Sequence, residues 1–203
     1  MHLLTVYTLL TLSLFTTTYH PTHNSRIMGM SYDIIPNKET KCENDFGDGL
    51  SYFFEQVEAY YETAEVEQVS RVLNIDLSVF QDINYNYEDK SDIENHWHDI
   101  DTFVALVDTF ISKIKSNPDY YKQVFYNPNR DKNLDEEQRI WQIADTAERD
   151  KKLELLRSQP FYYYPPDRGL LSEGRLLKGL QTLRRTLECY KKSGVTKVRL
   201  EYT

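Results

Sequence analysis

The chain has 203 residues, of which 40% are hydrophobic and 28% charged, with a formal net charge of −8 and sixteen tyrosines. That length and balance suit a folded domain with its own core and argue against a disordered chain. The acidic balance argues against a protein that tracks a nucleic-acid backbone, whose affinity comes from a basic footprint, and it favours a basic protein partner. The charge is unevenly spread: from Arg168 onward there are nine Lys or Arg against three Asp or Glu, and before it 15 against 29. The expectation is that the basic tail folds back onto the acidic body.

Residues 1–29 differ from the rest, with no Asp, Glu, Lys or Arg before Arg26. The apolar run from Leu3 to Phe15 is too short to span a bilayer comfortably, and it lacks both a basic start and a small-residue cleavage site. Residues 1–29 are therefore expected to lie outside the fold, as a mis-assigned start or a weak export signal, with one domain over residues 30–203. No stable membrane anchor is expected.

Tyr32 to Pro36 reads as a first strand, and the polar, two-glycine segment that follows as a loop. Leu50, Phe54, Val57, Tyr61 and Ala64 recur at helical spacing. Val69, Val72 and Leu73 continue that helix or form a second one ending near Asn74. Leu77, Phe80 and Ile83 suggest a short helical turn. Ile93, Trp97, Ile100, Val104, Val107, Ile111 and Ile114 then alternate spacings of four and three, which predicts one helix over 91–116 with Ser91 and Glu94 as a capping box. A second helix is predicted over 135–158, capped by Asn133 or Asp135. Phe161 to Tyr164 reads as a strand stopped by Pro165 and Pro166. Leu176, Leu180, Leu183, Leu187 and Tyr190 predict a helix over 172–193 with Gly194 at its end. Strict alternation over Lys197–Tyr202 predicts a half-buried strand. The whole reads as α+β, predominantly helical, with a small sheet that includes the C-terminal strand.

The candidate chemistry centres on ENHWHDIDTF, residues 94–103. If this stretch were extended, Asp92, Glu94, His96 and His98 would share one face, and four such ligands would suit a metal-dependent hydrolase. If it is helical, His96 and His98 point apart, Trp97 anchors the core and His96 is a polar neighbour. The phase of the stripe favours the helix, leaving no catalytic set and His96 and His98 as weak acid–base candidates. No serine lies in a nucleophile elbow. The FGDGL stretch lacks a phosphate loop's Lys-Ser/Thr and carries Asp45 and Asp48, so neither a nucleotide nor another cofactor is expected. Cys42 and Cys189 are far apart and form no zinc or disulfide framework. They are expected as free thiols of a cytoplasmic protein, with an exported, bridged protein as the alternative.

The segment PFYYYPPDRG is the other outlier. Consecutive tyrosines in a strand face opposite ways, so at least one must be exposed. Tyr162, Tyr163 and Arg168 are residue types enriched at binding hot spots and are the expected partner-binding residues. The resulting expectation is a non-catalytic protein-interaction module, of the inhibitor or immunity-like kind, that binds a basic protein; the alternative is the metal-dependent hydrolase.

Overall fold

The computed structural model describes residues 32–47, 49–83 and 88–202, so the expected extension over residues 1–29 lies outside the described residues. The described residues form seven α-helices and a three-stranded antiparallel sheet, the mostly helical α+β fold read from the sequence. The sheet has the order β1-β3-β2, with β1 at Tyr32–Pro36, β2 at His98–Asp99 and β3 at Lys197–Tyr202. The C-terminal strand is therefore central. Its alternation places Val198 and Leu200 in the core, opposite Pro36 and Ile34. The edge strand β1 is blunted against further pairing: Tyr190 donates to the Ile34 carbonyl (3.1 Å), the Tyr32 N–H donates to Ser51 (2.9 Å), and Pro36 has no N–H to offer.

Helix α1 (Leu50–Tyr60) ends where Tyr61 takes a left-handed φ of 47°, and after a 3-10 turn over Tyr61–Thr63 the chain re-enters α2 (Glu65–Leu73). Asn74, also left-handed, closes α2. A 3-10 turn at Ser78–Gln81 stacks Phe80 on Phe54, with ring centroids 4.3 Å apart, and Phe103 meets the Phe80 ring edge-on at 5.2 Å. Helices α4 (Ile100–Ser116) and α7 (Arg175–Lys192) pack together. On α4 the predicted Val104, Val107 and Ile114 are buried with Phe110, while the predicted Ile111 is half-buried; on α7 Leu176, Leu180, Leu183 and Leu187 are buried.

Three predicted elements are corrected. The single helix over 91–116 is two: α3 (Lys90–Asn95) stops, His96 and Trp97 leave the helix, β2 pairs with β3, and α4 begins. Two caps set the starts of these helices. The Asp89 carboxylate, in place of the expected Ser91 and Glu94 box, accepts from the Ser91 and Asp92 amides at the start of α3, and Asp99 accepts from the Thr102 amide at the start of α4. Pairing with β3 thus outcompetes helix continuity, and Trp97 is half-buried on the Arg199 guanidinium (4.9 Å) instead of anchoring the core. The helix over 135–158 is also two, α5 (Arg130–Trp141) and α6 (Thr146–Arg157), with Asp145 capping the second through the Glu148 amide. These two pack on each other around Ile140, Leu153, Leu156 and Tyr162, a small cluster apart from the main core. Residues 161–164 form a turn, not a strand.

The expectation of free thiols is corrected as well: Cys42 and Cys189 form a disulfide across 147 residues of sequence. The β1–β3 pairing draws the loop after β1 against the end of α7, a proximity that local sequence does not carry. The cytoplasmic expectation loses the support it took from free thiols. No helix among the described residues is long and apolar enough to cross a membrane.

Candidate functional site

The two histidines converge, but not with the partners expected of them. His96 Nε2 lies 3.2 Å from one oxygen of Asp82 and His98 Nε2 3.0 Å from the other. The His98 contact is an ion-pair approach rather than an aligned hydrogen bond. His96 Nδ1 is 2.7 Å from the Asp92 carbonyl, an acceptor that requires the ring nitrogen to donate. Asp92 and Glu94 stand on α3, before the chain breaks, so the four residues proposed as metal ligands do not share a strand face. Among the described residues, no group of three or more His, Cys, Asp or Glu could hold a metal ion. The cluster joins the turn after Phe80 to the link between α3 and α4, and its role in the geometry is to hold that link. Asp82 was missed in the sequence because it sits in a short apolar turn with no local signal.

A second polar cluster is buried. Glu65, in the first turn of α2, has no exposed surface, accepts from Gln56 Nε2 (2.6 Å), and donates its backbone N–H back to the same side chain (3.0 Å). Burial holds its carboxyl above the usual range, more than the Tyr126 hydroxyl and the Gln56 amide pull it down. Burial, and then the Glu65 charge, push Tyr52 up to about 12, and the same two causes raise Tyr120 and Tyr126. Such an acid could donate a proton, but a carboxyl with no exposed surface meets no substrate.

The third cluster lies at the surface. Tyr61 (74% exposed), Tyr163 (60%), Phe125 (55%) and Phe161 (44%) come from three separate segments. Phe125 stacks on Phe161 at 5.8 Å, and Tyr164 meets both rings edge-on. Buried Gln68 holds the backbone beneath: it accepts from the Phe125 N–H (2.8 Å) and donates to the carbonyls of Phe125 (3.0 Å) and Thr63 (2.7 Å). The Thr63 hydroxyl then lies 2.6 Å from the Tyr163 carbonyl, tying the third segment in.

Comparison with known proteins finds no matching family model, no similar curated protein and no similar solved structure. Geometry alone therefore ranks the clusters. Of the three residues expected to bind a partner, Tyr163 is exposed, with its carbonyl tied to Thr63 and its ring edge-on to Tyr162. Tyr162 is buried and donates its hydroxyl to Glu137, so its expected role as a surface contact is corrected to a structural one. Arg168 is exposed but pairs with Asp131 (3.2 Å) and lines a cleft of about 370 Å³ in which Tyr163 has no part. Phe125, Phe161 and Tyr61 were missed. The available signal was an excess of aromatics, which does not say which rings face outward.

Proposed function

We propose that the chain is a non-catalytic protein-interaction module whose contact surface is the aromatic face of Tyr61, Phe125, Phe161 and Tyr163. The observation that carries this reading is backbone strain at exposed rings. Tyr61 and Phe161 have φ of 47° and 61°, a region that bulky side chains rarely enter. Each such residue costs about 1–3 kcal/mol and persists only where the surroundings over-determine it. Tyr61, 74% exposed, has little packing to offset that cost. The Gln68 and Thr63 bonds hold the face in place before any partner arrives, which lowers the ordering cost of association. The acidic body favours a basic partner, as an inhibitor or immunity-like protein would have.

The test uses affinity capture with the purified chain. F125A and F161A together with Y163A should weaken capture of a stoichiometric partner by about 30-fold or more, the scale of hot-spot loss. Y61G relieves strain, so it should hold or raise Tm while weakening capture. If both variants capture as the wild type does, this face is not the contact surface.

A further inference from the structure

Residues 37–47 run from the end of β1 toward α1, past the C-terminal turns of α7. Both ends of this segment are fixed without the disulfide. At one end the Asn37 N–H donates to the Lys197 carbonyl (3.0 Å), and its side-chain amide donates to Thr196 (3.0 Å). At the other end Phe46 is buried and Thr186 donates to the Asp45 carbonyl (2.8 Å). Gly47, at φ 98°, approaches Gly179 so closely that a Cβ would lie 2.5 Å from its carbonyl oxygen. Only glycine allows that contact.

The stretch between these anchors is different. Residues 38–44 are exposed apart from the half-buried Thr40 and Cys42. Among the described residues, their hydrogen bonding to the rest of the fold runs through Cys42 alone, whose Sγ is 3.4 Å from the Ser193 hydroxyl. A cleft of about 430 Å³ is lined by Lys38, Thr40, Cys42 and Tyr190. Another of about 290 Å³ is lined by Glu43, Arg185 and Cys189. The segment is thus bridged over α7 at one point, and Cys189 at that point is exposed to solvent.

We infer that residues 38–44 form a redox-released strap: a dithiol reductant opens the Cys42–Cys189 bond and frees the strap from α7 while the core stays folded. One thiolate of the dithiol attacks the sulfur of the exposed residue Cys189, and Cys42 leaves as a thiolate that takes a proton from water. The second thiol of the reductant then displaces Cys189. The dithiol ends as a disulfide, and two electrons have passed to the protein as two thiols.

Limited trypsin digestion of the full chain reads the strap directly, because Lys38 and Lys41 lie within it. Three samples are compared by mass spectrometry: the oxidised chain, the chain reduced with dithiothreitol, and the C42S/C189S variant without reductant. The expected result is cleavage after Lys38 and Lys41 at least tenfold faster in the reduced chain and the variant. Cleavage after Lys113 and Lys191, on α4 and α7, should stay at least tenfold slower than after Lys38 and Lys41 in the same sample, with unchanged circular dichroism. Equal rates at Lys38 and Lys41 in all three samples overturn the proposal. So does cleavage across α4 and α7 that keeps pace with Lys38 and Lys41, which would make the bond a staple of the whole fold.

Discussion

Glu65 and Glu137 are perturbed in opposite directions, so they give stability two separate dependences on pH. Glu65 is raised by burial. A carboxyl whose folded pKa exceeds its unfolded one, about 4.3, stabilises fully below that unfolded value and loses the contribution as pH rises through the folded value. E65Q keeps the shape and the Gln56 contact but cannot ionise. Its Tm should therefore gain on the wild type as pH rises from about 4 to about 8, by about 2–4 °C per kcal/mol for a chain of this size. Parallel melting curves across that range would sink this reading of Glu65. At Glu137 burial pushes the carboxyl up, but the Tyr162 hydroxyl and the Arg157 guanidinium outweigh it and hold the carboxyl below the usual range. Its contribution is present above the ordinary carboxylate value and disappears as pH falls through the lowered one. E137Q should cost about 1–3 kcal/mol at neutral pH, with the gap from wild type closing in acid. Hydrogen exchange should quicken first in α5 and α6, whose small cluster Glu137 ties to Tyr162. Unchanged exchange there would show that the carboxylate does not hold these helices.

The helices are divided by side-chain caps that hydrophobic periodicity alone does not locate. The apolar spacing stays in phase from Ile93 to Ile114, whereas Leu153 and Leu156 fall about half a turn round a helix from the face of Ile140, Ile143 and Ala147; neither stretch contains glycine or proline at its break. Periodicity therefore reads straight through the first break and slips to the opposite face at the second. The signal that divides them is Asp-x-x-Thr at Asp99 and Asp-x-x-Glu at Asp145, each an aspartate placed to accept the amide three residues on. D145A should cost about 1 kcal/mol and raise exchange in the first turn of α6 while leaving α4 untouched. Equal exchange in that turn would mean that the cap is incidental. By contrast β3, α7 and the buried face of α4 were legible, because alternation or a three-four spacing there coincides with one buried face. The candidate sites were less so. His96 and His98 drew attention as a pair, but Asp82, the group that joins them, is a tertiary neighbour. The aromatic face depends on backbone φ at Tyr61 and Phe161, and residue type does not announce a left-handed tyrosine or phenylalanine.

The basic C-terminal region does fold back onto the acidic body: Arg184 pairs with Asp108 (2.6 Å) and Lys191 pairs with Asp101, while Arg184 also pairs with Glu188 (2.8 Å) within α7. Asp101 and Asp108 lie on α4, so the two cross-helix pairs follow the apolar seam between α4 and α7. Their acidic partners are about half or more exposed, and pairs of that kind contribute little. What joins distant parts of the chain more firmly is the β1–β3 pairing and the disulfide. The covalent link closes 147 residues, most of the described chain, and so acts mainly by restricting the unfolded state. A loop of that length gives a stabilisation of about 2–5 kcal/mol. Losing it should lower Tm by roughly 5–15 °C while the packed native state survives at 25 °C. C42S, C189S and the double variant should then melt together, since each removes the same closure, and reduction of the wild type should bring it to the same temperature. A double variant that melts with the oxidised wild type would mean that the unfolded chain is already held compact by other contacts. A C42S chain well below the double variant would instead place the loss in local packing around Cys42 and Ser193.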